Sequence, residues 1–184
     1  MMARKNNVKG QAAMEYLMMY GWAIFLIGVV VAVLVGVLAI MNSQERCLFV
    51  QKEFSCSSDV NPAAYLDGNG NVMVAMRVVN NAGKSIVLKE ATCVRGDAQV
   101  GSIPDGAWVP VSSTGRDVQL NPGSSLDVSD IPCYEPGSNS KVAMSAGQNF
   151  AGNVIFKYNY VNDLQGIGAR NAKASVAMQV SAGQ

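Results

Sequence analysis

The amino-acid sequence predicts an α+β protein: one long hydrophobic N-terminal helix followed by an antiparallel, immunoglobulin-like β-sandwich. Three observations carry this prediction. From Tyr16 to Met41 the chain has no charged residue and is mostly Val, Leu, Ile, Met, Ala and Gly. After Asn42 it changes to short β-branched runs rich in Gly, Asn and Ser, with no second long apolar stretch. Turn signals separate those runs at close intervals.

The helix comes first. At about 1.5 Å per residue the uncharged stretch would reach roughly 39 Å, enough for a hydrocarbon core of about 30 Å. No proline interrupts it, so a continuous rod is expected. Gly28, Ala32 and Gly36 recur every four residues, and Gly21 lies one heptad before Gly28. Such small residues let helix backbones approach closely in lipid.

The strands follow. Candidates are Cys47–Lys52, Val72–Asn80, Ser85–Val94, Gly152–Val161 and Lys173–Val180, with shorter ones near Ala107–Val111, Asp117–Leu120 and Ser125–Val128. Alternation is plain in Asn153–Tyr160 and Ala174–Val180. Turns are marked by Asn69-Gly70, Ala82-Gly83, Pro104-Asp105-Gly106, Asn121-Pro122-Gly123 and Glu135-Pro136-Gly137. Turns at this density point to seven or eight strands in a sandwich.

Composition narrows the function. The 184 residues are 49% apolar and 15% charged, so the chain is not disordered. A formal net charge of +1 gives no electrostatic case for nucleic acid, and no such partner is expected. There is no histidine, which removes Ser-His-Asp and Cys-His nucleophiles and most catalytic zinc sites. The chain is not read as an enzyme, and no catalytic residue, metal or cofactor is assigned.

Cys47, Cys56, Cys93 and Cys133 all follow the helix. Four cysteines allow three pairings; Cys47–Cys56 with Cys93–Cys133 is favoured, since the first pair is close in sequence. No Cys-x-x-Cys pair exists, which argues against zinc. The remaining motifs read as structure. Asp67-Gly68-Asn69-Gly70-Asn71 opens like a calcium loop but continues with Val72, so a hairpin turn is expected. Lys84-Ser85 lacks the first glycine of a phosphate loop. Trp108 is expected to anchor the core. Ser112-Ser113-Thr114 is read as a solvated turn, and no Asn-x-Ser/Thr sequon occurs.

Arg4, Lys5 and Lys9 precede the helix, and the positive-inside rule puts them in the cytoplasm with the C-terminal domain outside. The apolar stretch is too long for a secretory signal and no Ala-x-Ala site follows it. The start of the helix departs from a plain signal anchor: it reads Lys9-Gly10-Gln11-Ala12-Ala13-Met14-Glu15-Tyr16-Leu17.

This start resembles the class III signal peptide of archaeal type IV pilins, over roughly Lys9 to Met41. In that family a basic leader is cut after a Gly and before a Gln, and the mature chain begins Gln-x-x-x-Glu-Tyr. The resemblance implies that Gly10 ends the leader, Gln11 becomes the N-terminus, and Gln11, Glu15 and Tyr16 govern assembly and register. It implies a leader over 1–10, a hydrophobic helix over 11–43 that anchors in membrane and then forms a filament core, and an extracytoplasmic β domain over 44–184. Archaellins share the processing but lack this start. The implied protein is a prepilin, a structural subunit of a surface filament with a role in adhesion. Its implied partners are identical subunits in a homopolymer, a prepilin peptidase, and a pilus assembly ATPase with its membrane platform. The alternative is an uncleaved single-pass surface protein whose β-sandwich binds a ligand.

Overall fold

The computed structural model describes residues 7–41, 45–97, 100–164 and 168–183. It divides into two compact units, Met1–Ser43 and Gln44–Gln184. The first contains helix α1, Asn7–Met41, which at about 1.5 Å per residue is roughly 52 Å long. The helix already begins at Asn7, so the Gly10–Gln11 junction lies within it rather than ahead of it. One glycine without a neighbouring proline weakens a helix but does not stop it.

The second unit contains ten strands among the described residues. They are β1 Arg46–Phe49, β2 Phe54–Cys56, β3 Ala63–Leu66, β4 Val72–Asn80, β5 Ile86–Arg95, β6 Val109–Pro110, β7 Val118–Leu120, β8 Ser125–Tyr134, β9 Asn149–Tyr160 and β10 Arg170–Ser181. The long strands β4, β5, β9 and β10 carry most of the pairing, and the short ones share the edges of β4, β5 and β10. Along one side of β10 runs β9; along the other lie β1 and then β3. Strand β5 takes β9 on one side and β7, β6 and β8 in succession on the other.

The expectation of an antiparallel sandwich needs correction here. Strands β5, β9, β10, β3, β4 and β8 form a closed ring, with β1, β2, β6 and β7 added to its edges. Two contacts in that ring are parallel and only two residue pairs long. These are β10 with β3, through Val180–Ala64 and Ser181–Tyr65, and β5 with β8, through Cys93–Cys133 and Val94–Tyr134. Closure removes free edges that an open sandwich would leave.

The core lies inside the ring. Strand β4 alternates strictly, burying Val72, Val74, Met76 and Val78, and β10 does the same with Ala172, Ala174, Val176, Met178 and Val180. Phe150 and Phe156 from β9 are among the largest fully buried side chains. An aromatic row leads out of the core: Phe49 stacks on Phe54 at 5.5 Å, and Phe54 meets Tyr158 edge-on at 4.8 Å. Gly152 in β9 is required sterically, because a Cβ there would lie 2.5 Å from the Val94 carbonyl oxygen.

Both disulfides join segments near the parallel contacts. Cys93–Cys133 bridges β5 and β8 with both residues fully buried, and Cys47–Cys56 ties β1, beside β10, to β2 at the edge of β4. Asn80 is buried at the end of β4 and fully satisfied. Its amide donates to the Lys84 and Leu120 carbonyls, each at 3.0 Å, and its oxygen accepts the Ala82 N–H at 2.9 Å.

Candidate functional site

Residues Met18–Val37 form the stretch of α1 long and apolar enough to cross a membrane, and none of it is buried within the chain. Its surface is apolar on every side: Met18, Trp22, Phe25, Ile27, Val31 and Val35 are all more than half exposed. Trp22 and Phe25, three apart on the helix, stack at 5.8 Å. Gly21, Gly28, Ala32 and Gly36 fall within an arc of about 80° on one face. At the three glycines an added Cβ would meet nothing within 4 Å, so the chain itself does not require small residues there. Gly10, Gln11, Glu15 and Tyr16 have helical backbones, and the side chains of Gln11, Glu15 and Tyr16 lie outside the described part.

The motifs read as structure in the β domain are accounted for by hydrogen bonding. Asp67 caps the β3–β4 hairpin. Its Oδ1 accepts the N–H groups of Asn69 and Asn71 at 2.8 and 2.9 Å, and its Oδ2 accepts the Asn71 amide at 2.9 Å. The Asn71 hydrogen bonds hold its carboxyl below the usual carboxylate range. Ser112 and Thr114 bond each other at 2.8 Å within their turn. Lys84 lies 5.9 Å from the Tyr160 ring. Among the described residues no group of three or more metal-ligating side chains gathers.

Trp108 departs from expectation. It is half-buried rather than a core anchor, with the Lys157 ammonium over its ring at 3.9 Å, and Lys157 is also paired with Glu90 at 2.8 Å. The residues before it include a short helical turn, Asp105–Ala107, in which Ala107 is fully buried.

One surface feature has no sequence signal. In β8, Ser129 and Asp130 bulge out of register between Val128 and Ile131, opposite Ala75 of β4. Asp130 has φ of 58°, the described non-glycine residue in the left-handed region. Tyr65 holds it there: the phenol donates to Asp130 Oδ1 at 2.7 Å and accepts the Asp130 N–H at 3.0 Å. Burial, together with donation to that carboxylate, pushes the Tyr65 hydroxyl up to about 12. Tyr65, Asp67, Met73 and Asp130 line an open groove of about 580 Å³. Beside it, Arg77 grips Asp127 through both carboxylate oxygens at 2.5 and 2.7 Å, which lowers the Asp127 carboxyl.

No protein-family model matches the chain, and no curated protein matches it. The functional reading rests on its residues and geometry.

Proposed function

We propose that the chain is the precursor of an archaeal type IV pilin-like subunit. It inserts by its helix, loses residues 1–10 between Gly10 and Gln11, and polymerises through the helix into a surface filament displaying the β domain. The carrying observation is the order Lys9-Gly10-Gln11…Glu15-Tyr16 at the start of a helix whose next stretch, Met18–Val37, is apolar all round. Such a surface is stable only against lipid or against similar helices, and a pilin subunit uses both in turn. The Gly21–Gly36 stripe, unneeded within the chain, suits close helix contact. Two disulfides fit an oxidising exterior for the β domain.

In this reading Glu15 sets the axial register. A carboxylate in lipid costs about 2.5–3.5 kcal/mol at a helix centre and less near the interface. Pairing with the Gln11 amine of a neighbouring subunit gains on the order of 4 kcal/mol at about 4 Å and an effective dielectric near 20, partly offset by desolvation. The partners are identical subunits, a prepilin peptidase, and an assembly ATPase with its membrane platform; no catalysis is assigned. Glu15→Ala leaves expression, insertion and leader cleavage intact and abolishes or sharply reduces filaments seen by electron microscopy. Normal filaments from this variant refute the register mechanism. The second reading, an uncleaved surface protein that binds a ligand, is favoured by the groove beside Tyr65 and Asp130.

A further inference from the structure

Asp97, Asn153 and Lys173 come from three separate segments and meet on one face of the sheet. Asn153 pairs with Ser175 and Ile155 with Lys173, so Lys173 is the diagonal neighbour of Asn153 on the adjacent antiparallel strand. The Lys173 ammonium contacts Asp97 Oδ1. The same oxygen accepts Asn153 Nδ2 at 3.4 Å, and Nδ2 also donates to the Gly96 carbonyl at 2.6 Å. The Asn153 carbonyl oxygen accepts the Ser175 hydroxyl at 2.9 Å. Asn153 is 4% exposed and the Lys173 side chain 24%.

These contacts are more than an ion pair beside an amide. The hydroxyl on the Asn153 carbonyl oxygen stabilises negative charge that develops there when a nucleophile attacks the carbon. The carboxylate beside Lys173 Nζ is placed to accept its proton and free a lone pair. That carboxylate also touches the nitrogen that would depart. Fixing amine and amide on neighbouring strands replaces a bimolecular encounter with an intramolecular one.

We propose that Lys173 and Asn153 join in an intramolecular isopeptide cross-link, with Asp97 as the proton carrier. Asp97 takes one proton from the Lys173 ammonium, and Nζ attacks Asn153 Cγ. The Nζ–Cγ bond forms and the Cγ–Nδ2 bond breaks. The departing nitrogen collects a second Nζ proton and the one held on Asp97, and leaves as ammonium. Asp97 is restored, Nζ keeps one hydrogen as an amide, and no oxidant or co-reactant is consumed.

The position gives the bond a use. Strand β1, the first after the helix, pairs with β10 and ends there: the Val50 N–H donates to the Lys173 carbonyl at 2.9 Å, and the Lys173 N–H to Gln51 Oε1 at 2.8 Å. A pull along the chain from the helix therefore reaches β10 at Lys173, and the cross-link ties that residue covalently to β9. The inference goes beyond the filament reading and stands without it.

Intact-mass and peptide-mapping measurements on the full chain test it. The expected mass is that of the sequence, less the hydrogens lost to two disulfides and less one ammonia. Protease mapping should yield one branched peptide joining Asn153 to Lys173. Lys173→Arg and Asp97→Ala should both return the ammonia; the second keeps both reacting groups and alters a carboxylate that is 88% exposed, so folding is spared. Separate linear peptides containing Asn153 and Lys173 overturn the proposal. So does an ammonia loss confined to a peptide beginning at Gln11, where cyclisation of a terminal glutamine gives the same mass. A cross-link that persists in Asp97→Ala overturns the carrier role.

Discussion

Removing the two disulfides one at a time should destabilise the β domain unequally. Cys93–Cys133 closes a loop of sequence separation 40, and Cys47–Cys56 one of 9. The chain-entropy relation gives about 3.9 kcal/mol for the longer loop and about 2.6 kcal/mol for the shorter at 25 °C. Packing adds to the difference, since Cys93 and Cys133 are fully buried while Cys47 and Cys56 are half-buried. The location adds again: without its bridge, the parallel contact of β5 with β8 retains only two residue pairs. At about 2–4 °C per kcal/mol, Cys93→Ala/Cys133→Ala should lower Tm by roughly 8–16 °C and Cys47→Ala/Cys56→Ala by roughly 5–10 °C. The assay is thermal melting of the full chain in detergent, followed by near-ultraviolet circular dichroism. If the Cys47/Cys56 variant melts lower, the buried bridge is not the principal closure of the ring, and the reasoning fails.

Tyr65→Phe should change alkaline stability. The Tyr65 hydroxyl ionises near 10.0 in the unfolded chain and at about 12 in the folded one, so its contribution is present below pH 10 and lost as pH climbs toward 12. Melting scans from pH 9 upward should fall less steeply in the variant; parallel curves refute the assignment. Gly152→Ala should cost about 1–3 kcal/mol, because its methyl would meet the Val94 carbonyl oxygen at 2.5 Å and the Phe150 ring at 2.8 Å. A lowered urea midpoint with unchanged slope is expected, and an unshifted midpoint contradicts the packing.

The parts of this fold legible in the sequence are those with a strong one-dimensional pattern. Strand β4 has the expected bounds, Val72–Asn80, because a nearly unbroken apolar run there lies between the turn signals Asn69-Gly70 and Ala82-Gly83. The helix is equally plain, since a long uncharged run needs no partner to identify it. Strands β2 and β3 escape notice because three or four residues flanked by Ser, Asn and Pro show too little alternation. Strand β8 runs on to Tyr134, past the expected Val128, because the bulge at Ser129–Asp130 breaks the period and lets Pro132 lie beyond it. The ring closure is unreadable for a related reason: two parallel contacts of two residue pairs each follow from tertiary packing.

The same division holds for the sites. The Gly10–Tyr16 motif and the four cysteines are local patterns or simple counts. The Tyr65–Asp130 pair spans 65 residues, and Asp97 lies 56 from Asn153 and 76 from Lys173. Register brings these residues together, and a one-residue slip in any strand would send a side chain to the opposite face. The setting of Trp108 is tertiary in the same way, since its partner Lys157 comes from β9.

The filament account stands or falls on the N-terminus of the protein at the cell surface. Filaments sheared from cells, reduced and analysed by mass spectrometry should give a chain beginning at Gln11, free or cyclised, lacking Arg4, Lys5 and Lys9. On the filament account, losing those charges would release the helix end from the cytoplasmic headgroups before assembly. Surface material that still begins at Met1 or Met2 contradicts the account and leaves the chain an uncleaved membrane-anchored protein.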